Sequence, residues 1–188
     1  MADEKRYYMA CLDLEGRSVL VVGGGRIALE KLTGLLECGA DVTVVAPVVL
    51  PEVRELPVRW LPRRYERDDL AGRYLVVAAT QIEALNASVA RDAARRSLLC
   101  NVVDDPDKCT VILPAIHRDG PIAIAVSTGG ASPALAKRLR DQFAEQIGPR
   151  TVEVARQLRA RRPWAKRTFA TYDERKAYFE RLVEESLS

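Results

Sequence analysis

The fold is decided by residues 18–39, SVLVVGGGRIALEKLTGLLECG. Ser18–Val22 is a short apolar run, and Gly23-Gly24-Gly25-Arg26-Ile27-Ala28 follows it with no spacer. Ala28, Leu32, Leu35 and Leu36 then recur at the spacing of one helix face, and Gly39 is suited to end that helix. The stretch therefore reads as strand, glycine-rich turn and helix. In that context the glycines satisfy G-x-G-x-x-A, and each small residue has a physical task. Gly23 permits the tight turn, Gly25 lets a pyrophosphate approach the backbone, and Ala28 lets helix and strand pack closely. The helix N-terminus offers unpaired N–H donors and about half a unit of positive charge. A glycine-rich turn with no ligand is the competing reading.

Outward from this stretch, short apolar runs alternate with helical patterns. Residues 41–46 (DVTVVA), 58–61, 74–79 (YLVVAA) and 98–103 (LLCNVV) read as four further strands, with a helix over residues 82–96 between the last two. Continuously apolar strands alternating with helices predict a parallel sheet covered on both faces. From Thr110 the pattern changes: TVILPAI and PIAIAV are two β runs separated by the turn-like HRDG of residues 117–120. A Gly-rich loop then enters a helix with Ser132 as N-cap and Pro133 at its first position. The remainder reads as basic helix, interrupted at Pro163, with Thr171 and Glu174 forming a capping box before a last helix. The fold class expected is α/β: a Rossmann-like parallel-sheet domain over 1–113, a small α+β dimerisation segment over 114–148, and a C-terminal helical region over 149–188.

Composition fits a soluble globular chain of 188 residues, with 48% hydrophobic and 29% charged residues. No apolar run approaches the roughly 20 residues that span a bilayer, and MADEKRYYMA has no apolar signal-peptide core. A cytoplasmic location without a membrane partner is expected. Cys11, Cys38, Cys100 and Cys109 show no C-x-x-C pairing and no Cys/His cluster, so reduced thiols and no metal site are expected. Net charge is +3, but residues 114–188 carry 14 basic against 9 acidic side chains. That surplus points to an anionic ligand or a charged partner surface.

In an open α/β sheet ligands bind beyond the carboxyl ends of the strands. The acidic residue that often accepts ribose hydroxyls should follow strand two, where this chain has Ala46-Pro47-Val48. Backbone groups there would have to contact the ribose. No arginine follows that strand to hold a 2′-phosphate, so the reading leans to NAD, with Arg26 left open between a phosphate contact and a solvated loop residue. Thr80 closes strand four, and Asn101 and Val102 lie in strand five ahead of Asp104-Asp105-Pro106. A carboxylate at the end of that strand, near the nicotinamide, could move a proton while hydride moves. Asp104 is the first choice and Asp105 the neighbour that points elsewhere; a plain Asp-rich turn is the alternative.

LDLEGRSVLVVGGGRIALEK, TVVAP, VVAAT, CNVVDDP, AVSTGGASPALA and FATYDERKAYF, in that order, resemble the precorrin-2 dehydrogenase family, the oxidase and in some members ferrochelatase module of siroheme synthase. The resemblance spans nearly the whole chain, and CNVVD followed by STGGASP is its most specific part. It implies NAD-dependent oxidation of precorrin-2 to sirohydrochlorin, with ferrous iron as a second substrate in bifunctional members, and a homodimer. It further implies that Gly23, Gly24, Gly25, Arg26, Ile27, Pro47 and Val48 contact NAD, to which the strand-end positions add Ala46, Thr80, Asn101 and Val102 as expected cofactor contacts. Asp104 matches the family's catalytic aspartate. Ser127, Thr128, Gly129, Gly130 and Ser132 would form a substrate-side loop in the dimerisation region, near the tetrapyrrole cleft. Thr128 departs from the serine, a phosphorylation site, that bifunctional fusions often carry there, which puts that regulation in doubt. The methyltransferase domain of those fusions has no counterpart here, so the chain is not expected to make precorrin-2.

Arg150, Arg156, Arg159, Arg161, Arg162, Lys166 and Arg167 face one acid, Glu153, over residues 150–170. A basic rim would steer a polycarboxylate such as precorrin-2; an ordinary solvated helix and nucleic-acid binding are the other readings. His117, the only histidine, is expected on a surface turn. The alternative of a different class is a non-catalytic NAD(H) redox sensor with a basic C-terminal interaction region, which would share the glycine loop but have no use for Asp104.

Overall fold

The computed structural model describes residues 6–187, so the first five residues of the N-terminal decapeptide lie outside the described residues. The chain divides into two compact units, Met1–Leu113 and Pro114–Ser188. In the first, β1 (Ser18–Val22), β2 (Asp41–Val45), β3 (Arg59–Leu61), β4 (Leu75–Ala78) and β5 (Leu99–Val102) form one parallel sheet in the order β3-β2-β1-β4-β5. The chain leaves β1 in one direction and returns to β4 on its other side, which puts the switch point between these two strands. Val22 pairs with Val45 on one side and Ala78 on the other, and Ala78 with Val102, so four carboxyl ends stop in one row.

Both faces of the sheet are covered. Val19, Val21, Val42 and Val44 pack with Ala28, Leu32 and Leu35 of α1 (Arg26–Glu37). Leu20, Val22, Val76 and Cys100 pack with Val89 and Ala93 on the other face. The single-turn α2 (Pro51–Arg54) follows β2, and α3 (Glu83–Ala94) carries Val89 and Ala93. Fully buried residues such as Leu20 and Leu32 each stabilise by about 1.5–3 kcal/mol relative to exposure.

The outer edge of β5 is sealed by the chain itself. Cys100 N–H donates to Thr110 Oγ1 at 2.7 Å, while Thr110 and Val111 N–H both donate to the Cys100 carbonyl at 2.9 and 3.1 Å. Val102 N–H donates to Cys109 Sγ at 3.1 Å. Residues 110–113, expected to begin a strand of the hairpin, are thus used to close the sheet edge.

In the second unit, β6 (Ala115–Asp119) and β7 (Ile122–Val126) pair antiparallel around Gly120-Pro121. The turn is therefore not HRDG. Positive φ at Gly120 and the missing N–H of Pro121 place it two residues later. His117 consequently sits in β6 opposite Ile124. Packing against both strands, α4 (Pro133–Ala144) begins with Leu135 N–H donating to Ser132 Oγ at 3.2 Å.

Pro163, expected to break a helix, lies inside the continuous α5 (Pro149–Thr168). The reason is packing with α6 (Tyr172–Leu187): Ala165 is fully buried, and Trp164 contacts the rings of Phe169 and Tyr178. These contacts offset the hydrogen bond that proline removes. Ahead of α6 the capping box forms in both directions, Thr171 N–H to Glu174 Oε2 at 3.0 Å and Glu174 N–H to Thr171 Oγ1 at 3.2 Å. Among the described residues no helix is long and apolar enough to cross a membrane.

Candidate functional site

The glycine turn shows why each position lacks a side chain. Gly23 has φ +119°, and a Cβ there would meet the Ala79 carbonyl oxygen at 2.4 Å. At Gly24 a Cβ would meet Val49 Cγ1 at 2.4 Å and Val49 Cα at 2.8 Å. Gly25 is different: a Cβ there would meet nothing within 4 Å. The first two glycines serve the packing of the turn, whereas the third faces open space. Gly25 is also the N-cap of α1 and makes no side-chain cap, so the first-turn N–H groups have no side-chain acceptor there. Arg26 is exposed at the first helical position, and Ile27 beside it is 44% exposed.

Beyond β2, Ala46 is buried and its backbone is engaged: its N–H donates to the Leu61 carbonyl, and its carbonyl accepts from Trp60 Nε1 at 2.9 Å. Pro47 and Val48 are exposed, Val48 at 74%. The end of β2 therefore presents an apolar shelf and no carboxylate. Ile27, Val48 and Ile82, which follow β1, β2 and β4 by a few residues, are all exposed. That is the lining expected of a nucleotide site, mostly apolar with a few backbone donors.

Thr80 is placed at the end of β4 but its hydroxyl is used internally. It lies 2.7 Å from Asn86 Oδ1, and it accepts from Ile82 N–H at 3.1 Å. Asn86, buried on α3, also accepts from Thr80 N–H and donates Nδ2 to the Thr80 carbonyl at 2.9 Å. Asn86 thereby fastens the β4–α3 loop beside the glycine turn. Sequence reading missed it; the only available signal is an amide on the inner face of an amphipathic helix.

Asn101 is likewise internal, donating Nδ2 to the Val111 carbonyl at 3.0 Å. Past Val102 the backbone turns sharply, and Asp104 takes a left-handed φ of +59°, a conformation that Asp tolerates better than most residues. Its neighbours are pinned. Val103 N–H donates to the Ala78 carbonyl at 3.0 Å, and Asp105 forms a close ion pair with Lys108. The Lys108 hydrogen bond holds the Asp105 carboxyl below its ordinary range. Cys109 Sγ lies 3.2 Å from the Val102 carbonyl and 3.3 Å from that of Asp105. Among the described residues the exposed Asp104 carboxylate has no hydrogen bond or ion pair, so the two adjacent acids are separated into one bound and one available.

In the second unit, Thr128 Oγ1 accepts from Ser132 N–H and donates to the Ser132 carbonyl, both at 3.1 Å. Ser127 Oγ accepts from Gly129 N–H at 3.2 Å, and Gly129 and Gly130 both have positive φ. The loop of Ser127, Thr128, Gly129, Gly130 and Ser132 is thus a self-bonded turn leading into α4. Gly120, Pro121, Arg156, Arg159 and Ala160 line a shallow concavity on α5. Among the described residues, no three His, Cys, Asp or Glu side chains are grouped so as to hold a metal ion.

The chain is similar to proteins of a known family. A family profile described as "Putative NAD(P)-binding" matches residues 10–115, and one described as "Sirohaem biosynthesis protein central" matches residues 119–146. Siroheme synthase 3 of Aeromonas hydrophila subsp. hydrophila is 38% identical over 174 residues, 90% of this chain and 37% of the relative. Siroheme synthase of Pseudomonas fluorescens is 42% identical over 177 residues, 92% of this chain and 38% of the relative. The chain thus spans a little over a third of the length of these relatives. Among solved structures, the precorrin-2 dehydrogenase SirC superposes with a TM-score of 0.80 at 30% identity, covering 97% of this chain and 93% of that one.

Proposed function

Because the chain belongs to the precorrin-2 dehydrogenase family of NAD(P)-binding proteins, we propose that it catalyses the NAD-dependent oxidation of precorrin-2 to sirohydrochlorin in siroheme biosynthesis. The observation that carries the reading is the loop beyond β5: Asp105 is locked to Lys108, and Asp104 is held in a left-handed turn with a carboxylate that has no partner among the described residues. That carboxylate lies past the strand row in which the glycine turn begins.

The residues at the turn fit a dinucleotide. Open space over Gly25 and the uncapped first turn of α1 would receive the diphosphate. Pro47 and Val48 would contact the adenosine, with Arg26 and Ile27 beside it. Thr80 and Asn101, fastened internally, would shape the wall together with Val102 and contribute backbone groups at most. When bound, NAD supplies the hydride acceptor. The chain's own task is then to hold the substrate carbon near that acceptor and to remove the proton released with the hydride. Asp104, without a partner among the described residues, is the base we assign to it.

The arginine-lined concavity of α5 would attract the carboxylates of the tetrapyrrole, and Ser127, Thr128, Gly129, Gly130 and Ser132 are proposed as substrate contacts. The face of the β6–β7 hairpin bearing Ile116, Ala123 and Ala125 is exposed, and among the described residues neither outer hairpin edge has a further strand. A second copy of the chain would cover both, which supports a homodimer. Ferrous iron is proposed as a further substrate, Asp104 accepting the pyrrole protons it displaces to give siroheme. The cytoplasm, where the four free cysteines would stay reduced, is the proposed compartment.

The test is an anaerobic absorbance assay. Precorrin-2 and NAD should give NADH in step with sirohydrochlorin, and ferrous iron added afterwards should change the tetrapyrrole spectrum. No NADH with authentic precorrin-2 overturns the dehydrogenase reading; an unchanged spectrum after iron removes the chelatase step alone.

A further inference from the structure

Asp104 is presented by six residues, 103–108, that leave β5 and return to its edge at Cys109. Bonds made by Cys109 help to close the base of this loop. Val102 N–H donates to Cys109 Sγ at 3.1 Å, and the thiol hydrogen can be given to the carbonyl of Val102 at 3.2 Å or of Asp105 at 3.3 Å. Cys109 N–H donates to the Pro106 carbonyl at 3.1 Å. The sulfur is therefore acceptor for the last strand residue before Asp104 and donor to the backbone on either side of it. Cys109 is itself buried, at 5% exposure, so solvent does not compete for these contacts. Lys108 completes the clamp by pairing with Asp105.

A left-handed aspartate persists only where its surroundings over-determine the backbone. Here the surroundings are this thiol, this ion pair and two backbone bonds, Val103 N–H to the Ala78 carbonyl at 3.0 Å and Asp105 N–H to the Val102 carbonyl at 3.4 Å; among the described residues Asp104 makes no side-chain bond of its own. We propose that Cys109, assisted by the Lys108–Asp105 pair, is the positioning residue of the reaction, holding the Asp104 carboxylate where it takes the proton. Cys109 touches neither substrate nor dinucleotide. The inference rests on the reading of Asp104 as the base.

Cys109→Ala removes donor and acceptor together, and Cys109→Ser keeps both. Misplacement of a catalytic group by about 1 Å can lower turnover on the order of a hundredfold. Cys109→Ala should therefore lose at least about tenfold in kcat, with KM for precorrin-2 and the NAD dissociation constant, measured by titration without substrate, within twofold of the parent. Cys109→Ser should recover most of that loss. Lys108→Met, at a half-buried site where the lysine stem already packs, should lower kcat about threefold or more, again without moving NAD affinity. In an Asp104→Ala background the Cys109→Ala change should have no further effect on residual turnover. Cys109→Ala with parental kcat overturns the proposal, as does an undiminished effect in the Asp104→Ala background. If Cys109→Ala does not fold, parental kcat in Lys108→Met overturns it. Full turnover by Asp104→Ala alone would instead sink the reading of the base, so the two failures are distinguishable.

Discussion

Gly25→Ala separates dinucleotide binding from folding. Its φ of −87° is ordinary for alanine, and a Cβ there meets nothing within 4 Å. Alanine is a poorer N-cap than glycine, by about 1 kcal/mol or less, while the stiffer unfolded chain returns about 0.4–1 kcal/mol. The fold should thus melt within a few degrees of the parent. The added methyl, however, occupies the open space over the first turn of α1, where a diphosphate oxygen would meet a backbone N–H. Losing one charge-assisted hydrogen bond removes about 1.5–3 kcal/mol, which weakens NAD binding by about 10- to 150-fold. Gly23→Ala makes the opposite contrast: with φ +119° and the Ala79 oxygen 2.4 Å from the new carbon, it should lose about 3 kcal/mol or more of stability. The assay is NAD titration by calorimetry alongside thermal melting for both variants. A Gly25→Ala protein that melts normally and binds NAD within twofold of the parent would refute the diphosphate placement.

Asp104→Asn, which keeps the turn, should bind NAD as the parent does and lose about 10²–10⁴-fold in turnover with precorrin-2; parental turnover refutes its role as base. Asn86→Ala would orphan the bonds at Thr80 and cost about 2–3 kcal/mol, read by chemical denaturation. Burial raises the Asp69 carboxyl, yet hydrogen bonds from Arg63 and from Glu66 N–H outweigh it and hold the group below its ordinary value. A lowered folded-state pKa adds stability above the unfolded value of about 3.9 that is lost as pH falls through the folded one. The stability gap between parent and Asp69→Asn should accordingly be flat above about pH 5 and shrink below about pH 4; a gap that widens in acid contradicts this. Burial pushes the Cys100 thiol up to about 11. A thiol reagent at pH 8 should modify the exposed Cys11 promptly and Cys100 only on unfolding, as peptide mass mapping would record.

How much of this was legible in the chain follows from the range of the forces involved. The β1–turn–α1 unit is local, with period, glycine spacing and capping contained in residues 18–39, and its bounds agree with the sequence reading. Strand ends shifted by a residue or two, as with Tyr74 and Ala46, because they depend on which partner the final N–H finds. His117 and Pro163 were misplaced for a tertiary reason, since the hairpin turn and the α5–α6 ring contacts decide them. Asp104 could be picked out by its place after an apolar run. Cys109 and Asn86 could not, because each acts through contacts made only once the sheet edge and the α3 loop are assembled.

The backbone at residue 104 has an evolutionary corollary. Left-handed turns admit asparagine and glycine as readily as aspartate, and both are a single nucleotide change away, whereas glutamate keeps the charge but suits the turn poorly. On the proposed reading of Asp104 as the base, descendants of such a chain would shed the reaction and keep a sound fold. A homologue with Asn or Gly at this point should then be assayed as a binder before it is credited as a catalyst.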